Sequence, residues 1–192
     1  MLDKSIPYHS IIMKRSKGSR VPDAVLPKGY SFVLYSEGDE QYWAEIETSV
    51  GEFDSTQKAL DYFKVHYSPY LEETKRRLLF IKKEDNQKIA TLTNWWNYTN
   101  ERRDPAMHWV SVDTKYQGLG LGKAIVFEGL ARMLKIEGDR DIYLHTQTWS
   151  YKAINIYLKA GFKLVEEESF GGYNNDYKKA IEFLKGKVNG LT

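Results

Sequence analysis

The stretch Tyr116-Gln117-Gly118-Leu119-Gly120-Leu121-Gly122-Lys123-Ala124 carries three glycines at alternate positions. An apolar run rich in valine (109–112) precedes it, and apolar residues at helical spacing (124–134) follow it. This order predicts a strand, a tight glycine turn and the start of a helix. Such a turn exposes backbone N–H groups at the positive end of a helix dipole, which favours a phosphate-bearing ligand.

Two common glycine loops do not fit these residues. A P-loop requires glycine where Gln117 stands and a hydroxyl residue where Ala124 stands. The dinucleotide fingerprint G-x-G-x-x-G fails from either start, because it ends on Lys123 or on Ile125. The pattern that fits is Gln/Arg-x-x-Gly-x-Gly/Ala, which begins at Gln117.

A second motif lies downstream of the loop. After a strand pattern (142–146) comes the segment Ala153-Ile154-Asn155-Ile156-Tyr157-Leu158-Lys159-Ala160-Gly161-Phe162. Together, the loop and this segment resemble the two signatures of GNAT-type N-acetyltransferases, which bind acetyl-coenzyme A. The resemblance covers residues 78–166, and it is weak before residue 70 and after residue 167.

The resemblance implies a GNAT-like acyl-CoA N-acyltransferase fold, which is an α/β fold. We expect a mixed, mostly antiparallel sheet of six or seven strands flanked by helices, in a single domain over residues 1–192. No clear seventh strand follows Glu166, so the N-terminal strand pattern (8–15) is a candidate to join the sheet. The chain pattern also predicts the following helices and strands: helices at 37–50, 56–66, 149–160 and 176–187, and strands at 30–35, 78–83, 89–95, 109–113, 142–146 and 162–166.

Composition limits the function classes. The chain has 192 residues, 42% hydrophobic and 28% charged, as in an ordinary globular domain. Its net charge of +2 is too small to indicate nucleic-acid binding. No apolar run is long enough to predict a membrane span, and no apolar signal-peptide core predicts export. The absence of cysteine excludes disulfides and a cysteine nucleophile. We therefore expect a cytoplasmic protein, and a homodimer stays open.

The resemblance assigns the cofactor-binding residues. Val110 and Val112 would pair through their main chain with the pantetheine arm, as an added strand does. The side chain of Asn155 would contact the pantetheine or phosphate portion. The diphosphate would lie on N–H groups of the loop, whose residues are Gly118, Leu119, Gly120, Leu121, Gly122 and Lys123. A structural turn, an ordinary core strand and a solvent-facing asparagine are the alternative interpretations.

Catalysis needs a group that protonates the departing thiolate and a group that takes a proton from the amine. By the same resemblance, Tyr157 is the proton donor, and a phenol and a thiol have comparable pKa values. His108 stands where the family often places its base, and strand alternation puts it on the same face as Val110 and Val112. His145 is a second candidate for the base. No metal-binding pattern is found among the histidines, so no metal is expected.

The expected reaction is acetyl transfer from acetyl-coenzyme A to a primary amine by direct attack in a ternary complex. A small-molecule acceptor is favoured because Trp95 and Trp96 could stack on it, although both could equally be core residues. Acidic residues in the helices of 37–67 could attract an amine, or form a solvated helix face (Asp39, Glu40, Glu45 and Glu47). Two alternatives remain: acetylation of a protein N-terminus or lysine, and a non-catalytic module that senses acyl-coenzyme A.

Overall fold

The computed structural model describes residues 2–191. It contains seven strands and six α-helices. The strands are β1 (Ser10–Arg15), β2 (Tyr30–Leu34), β3 (Leu78–Lys83), β4 (Lys88–Thr99), β5 (Arg102–Val112), β6 (Ile142–Gln147) and β7 (Lys163–Leu164). The helices are α1 (Glu40–Val50), α2 (Thr56–His66), α3 (Leu71–Arg77), α4 (Leu121–Glu137), α5 (Tyr151–Lys159) and α6 (Tyr177–Leu184).

The strands form one seven-stranded sheet in the order β2-β3-β4-β5-β6-β1-β7. The pairs β2–β3, β3–β4, β1–β6 and β1–β7 are antiparallel, whereas β5 and β6 pair in parallel where Ala106 meets Tyr143. The expected mixed, mostly antiparallel sheet flanked by helices is therefore confirmed.

The N-terminal strand does join the sheet, and it lies between β6 and β7. Its apolar residues Ile11, Ile12 and Met13 are completely buried, which is typical of an interior strand. The register with β6 runs from Ser10 opposite Gln147 to Arg15 opposite Ile142. Its other edge pairs with the two-residue strand β7, through Met13 opposite Leu164 and Lys14 opposite Lys163.

The chain separates into two compact units. The first unit comprises residues 23–94 and 109–132, with helices α1 to α3 and the glycine loop. The second comprises residues 2–22, 95–108 and 133–191. The strands β4 and β5 run through both units, and the interpretation of 1–192 as a single domain stays a prediction.

The first unit has an aromatic core built around Trp43 of α1. This side chain is fully buried, and its ring lies 5.3 Å from Phe63 and 5.9 Å from Tyr67, measured between centroids. Helix α2 begins where Ser55 accepts a hydrogen bond from the Lys58 N–H, as an N-cap does. The predicted bounds of this helix are confirmed. Helix α3, which the sequence pattern did not reveal, leads directly into β3.

Candidate functional site

The glycine loop connects β5 to α4 in the first unit. A single turn of 3₁₀ helix (Thr114–Tyr116) follows Asp113, whose carboxylate accepts a hydrogen bond from the Lys115 N–H at 2.9 Å. The side chain of Gln117 donates to the Val112 carbonyl at 2.9 Å, and so ties the loop back to the strand. The spacing of glutamine and glycine thus has a local structural basis.

Gly118 and Gly120 adopt left-handed backbone conformations, with φ of +86° and +81°. A Cβ atom at either position would meet no other atom within 4 Å. The backbone conformation therefore requires glycine here, and the space in front of the loop is open.

The N–H groups of residues 118 to 123 are available to a ligand. Ala124 is the first residue whose N–H closes a helical hydrogen bond, to the Gly120 carbonyl at 3.1 Å. The N–H groups of residues 118–123 donate no hydrogen bond to any acceptor among residues 2–191. They lie at the N-terminus of the 17-residue helix α4, where the dipole favours an anion. The donor set fits a diphosphate.

Strand β5 contains one residue in an unusual conformation. Trp109 has a φ of +50°, which is rare for a bulky side chain. This left-handed residue separates His108 from Val110, so regular alternation does not extend across it. The prediction that His108 shares a face with Val110 and Val112 loses its basis for this reason. Val110 and Val112 are half-buried in the first unit, next to the loop.

His108 and His145 lie in the second unit and interact electrostatically. The Nε2 atom of His108 is buried and has no hydrogen-bond partner within the described chain. Burial, together with the nearby His145, lowers the pKa of His108 to about 4. Burial also lowers the pKa of His145 to about 4. Both imidazoles are therefore uncharged at neutral pH.

The His145 ring is held on two sides. Its Nε2 atom lies 2.8 Å from the Ser10 hydroxyl, which donates to the Asn174 carbonyl. The ring of Tyr173 stacks on it at 4.0 Å between centroids, with an interplanar angle of 3°. The segment around residues 173–174, in a region where the sequence shows no clear strand, is thus part of the surroundings of this histidine.

Tyr157 is buried on α5, in the second unit. Its carbonyl accepts a hydrogen bond from the Phe162 N–H, after Gly161 ends the helical segment with a φ of +89°. The ring lies edge-on to Phe162 at 6.2 Å. The turn at Gly161 and Phe162 therefore holds the helix end that carries Tyr157.

Asn155 is engaged with the C-terminal part of the second unit. Its Nδ2 donates to the carbonyls of Tyr151 and Lys187, at 3.2 and 3.0 Å, and its Oδ1 accepts from the Asn189 N–H at 2.9 Å. A contact with coenzyme A would require exchange of at least one of these bonds. The role of Asn155 in cofactor binding stays a prediction.

The aromatic residues expected at an acceptor site have other partners. Trp95 and Trp96 stack on each other at 4.3 Å, and the Arg103 guanidinium lies 4.6 Å from the Trp96 ring. A different aromatic group, which the sequence analysis missed, lies in the first unit. Its half-buried members Phe53, Tyr62 and Trp109 have ring centroids 5.1 to 5.6 Å apart.

The acidic residues of α1 do not form a uniform solvated face. Asp39 pairs with Lys88 at 2.6 Å, and Glu40 accepts a hydrogen bond from the Tyr35 hydroxyl at 2.8 Å. Glu47 is fully buried, and its carboxyl accepts a hydrogen bond from the Ser111 hydroxyl at 2.8 Å. Of these four acidic residues, Glu45 alone has an exposed side chain. No cluster of side chains among the described residues has the composition of a metal site.

The structure therefore gathers the predicted residues into two sets. Val110, Val112 and the loop residues 118–123 belong to the first unit. His108, Asn155 and Tyr157 belong to the second unit, together with His145. None of the described helices combines the length and the apolar character needed to span a membrane.

The sequence model of the GNAT acetyltransferase family matches residues 39–162, which is more than half of the chain. The protein belongs to this family. Membership implies acetyl-coenzyme A as the co-substrate. That the free N–H groups of the loop bind its diphosphate stays a prediction.

Two curated relatives match shorter segments. A mycothiol acetyltransferase from Actinosynnema mirum is 34% identical over 67 residues, which is 35% of this chain and 22% of that protein. An N-alpha-acetyltransferase from Sulfurisphaera tokodaii is 30% identical over 77 residues, 37% of this chain and 46% of that protein. The chain thus matches less than half the length of either relative.

Solved structures agree in fold. A GCN5-related N-acetyltransferase from Sphaerobacter thermophilus has a TM-score of 0.63 and 18% identity, covering 82% of this chain and 49% of that chain. A GNAT-family acetyltransferase from Colwellia psychrerythraea has a TM-score of 0.61 and 12% identity, covering 84% of this chain and 55% of that chain. At these identities the likeness concerns the fold alone.

Proposed function

We propose that this enzyme transfers an acetyl group from acetyl-coenzyme A to the primary amine of a small molecule, by direct attack in a ternary complex. The observation that carries the proposal is the row of unbonded N–H groups at residues 118–123, at the start of α4. These donors would hold the diphosphate, while the main chain of Val110 and Val112 would pair with the pantetheine arm. Catalysis would then depend on positioning of the thioester.

Proton transfer is assigned to two residues of the second unit. His108 would accept the proton that the amine loses; its imidazole is uncharged at neutral pH, and the pKa of about 4 makes it a weak base for this step. Tyr157 would donate a proton to the coenzyme A thiolate as the carbon–sulfur bond breaks. The acyl group passes directly from sulfur to nitrogen, since the chain has no cysteine to carry it.

A small-molecule acceptor is supported by the aromatic group of Phe53, Tyr62 and Trp109. These half-buried rings offer apolar faces. Trp109 directly precedes Val110, whose main chain is proposed to pair with the pantetheine arm. The names of the two curated relatives differ in acceptor, so acetylation of a protein N-terminus remains the second candidate. A cytoplasmic location and a homodimer also stay proposals.

Thermal melting with acetyl-coenzyme A tests cofactor binding. Ligand at about a hundred times its Kd should add about 2.7 kcal/mol to the free energy of unfolding. Release of free thiol with a panel of small amines, compared with peptides bearing a free N-terminus, then tests the acceptor class. No thermal shift at millimolar acetyl-coenzyme A would contradict the proposal.

Replacement of Tyr157 by phenylalanine tests the proton donor. Turnover should fall by about a hundredfold, the usual contribution of a general acid, while the affinity for acetyl-coenzyme A holds. Tyr151→Phe on the same helix is the matched control and should keep its turnover. Equal turnover in Tyr157→Phe and the wild-type enzyme would remove Tyr157 from the mechanism.

A further inference from the structure

Glu47 is a carboxyl that the proposed reaction does not yet use. Its side chain is 0% exposed. One oxygen, Oε2, accepts the hydrogen bond from Ser111, and the other, Oε1, has no hydrogen-bond donor in the described part of the chain. Burial raises the pKa of Glu47 well above its ordinary value, against the opposing effect of the Ser111 hydrogen bond. A buried, half-satisfied carboxyl is costly to keep, which indicates a role beyond packing.

Trp109 is a second costly feature, and it lies on strand β5 with Ser111, the hydrogen-bond partner of Glu47. A non-glycine residue in a sparsely populated backbone region costs about 1–3 kcal/mol and persists only where its surroundings hold it. The Trp109 ring contacts Trp43 of α1 at 5.7 Å, and Phe53 and Tyr62 at 5.1 Å, between centroids. These contacts from α1, α2 and the segment between them hold the strained residue.

Helix α1 contacts β5 at two alternate residues, Trp109 and Ser111. Trp109 packs against Trp43, and Ser111 is bonded to Glu47, which lies one helical turn after Trp43 on α1. By these contacts, both strand side chains face α1. The main chain of Val110 lies between these attachments, and Val112 follows directly.

We propose that Glu47 is a positioning residue for acetyl-coenzyme A: its buried carboxyl holds Ser111, and so fixes the main chain of Val110 and Val112 for pairing with the pantetheine arm. This inference rests on the proposed function. Glu47 acts through Ser111 and does not touch the substrate. Ser111 is itself almost buried, at 8% exposure, so its hydroxyl serves the protein interior.

Steady-state kinetics of three variants tests the proposal. Ser111→Ala and Glu47→Leu both remove the hydrogen bond, and each should raise KM for acetyl-coenzyme A about tenfold, because the main chain proposed to pair with the pantetheine arm is then no longer held. The KM for the amine should stay within about twofold, since the main chain of Val110 and Val112 is proposed to pair with acetyl-coenzyme A and not with the amine. Glu47→Gln keeps an oxygen that accepts from Ser111, so it should restore KM for acetyl-coenzyme A to near the wild-type value. Glu45→Leu, on the exposed side of α1, is the matched control.

The outcomes separate this inference from the proposed function. A wild-type enzyme that binds acetyl-coenzyme A, together with a Glu47→Leu variant of unchanged KM, overturns the positioning role alone. A Glu47→Leu variant that loses melting temperature but keeps both KM values would show a purely structural role and would also overturn it. If Glu47→Leu does not fold, Ser111→Ala and Glu47→Gln decide the question by the same two KM values.

Discussion

The hydroxyl of Ser10 lies 2.8 Å from Nε2 of His145 and donates its single hydrogen to the carbonyl of Asn174. Because a carbonyl can only accept, the Ser10 oxygen must accept from the imidazole. The neutral His145 ring therefore carries its proton on Nε2, and Nδ1 keeps the lone pair. This tautomer is what a histidine needs if Nδ1 is to receive a proton.

Ser10→Ala should release His145 from this tautomer. Nitrogen chemical shifts of the ring should show the Nε2–H form in the wild-type protein and a mixture of both tautomers in the variant. The free energy of unfolding should fall by about 1 kcal/mol, as is typical when one hydrogen bond is lost. A wild-type ring that carries its proton on Nδ1 would contradict the assignment.

The low pKa of His108 predicts a pH dependence of stability. Its folded-state pKa is about 4, against an ordinary value of 6.5. Between these values the unfolded chain binds a proton that the folded protein does not, so stability should be lost as the pH falls from about 6.5 toward 4. His108→Phe should reduce this slope of melting temperature against pH, and His145 should account for part of what remains. An unchanged slope would show that His108 titrates normally in the folded protein.

The raised pKa of Glu47 predicts the opposite pH dependence of stability. Its folded-state pKa lies well above the ordinary value of 4.5, so its contribution to stability is fully present below pH 4.5 and is lost as the pH rises through the folded-state pKa. Glu47→Gln cannot ionise and should be as stable as the wild-type protein at pH 4 to 5. Its advantage in melting temperature should then grow toward pH 9. A constant difference across this range would mean that Glu47 is already ionised in the folded protein.

Close packing between α4 and β4 predicts the effect of a substitution at Gly129. A Cβ atom there would lie 2.7 Å from the two Cδ atoms of the buried Leu92. Overpacking costs about 1–3 kcal/mol, which exceeds the gain of about 1 kcal/mol in helix propensity. Gly129→Ala should therefore lower the melting temperature. In a Leu92→Ala background, the same substitution should raise it, and a loss in both backgrounds would rule out this clash as the cause.

Much of the fold could be predicted from the sequence because its signals are local. The cap at Ser55 and the apolar spacing of α2 gave its bounds, and the glycines at 118 and 120 indicated a turn that the structure shows to be left-handed. The inner position of β1 depends on distant pairing with β6 and β7. Such pairing leaves no mark in the strand itself beyond its apolar run.

The sequence analysis missed three features of the candidate site, each for a different reason. Trp109 sits in a valine-rich strand pattern, and its left-handed conformation depends on packing against α1 and α2, which no local pattern reports. Glu47 offered a signal, because it lies four residues after Trp43 and three before Val50, on the apolar stripe of α1. Its charge led to interpretation as a surface residue. Trp95 and Trp96 stack on each other, a contact that sequence spacing could not show.

The most direct test of the account is a crystal structure of the protein with acetyl-coenzyme A. We predict that N–H groups between Gly118 and Lys123 lie about 2.7–3.2 Å from diphosphate oxygens. A diphosphate bound elsewhere on the protein, or loop N–H groups that donate to protein acceptors in that complex, would contradict the central claim.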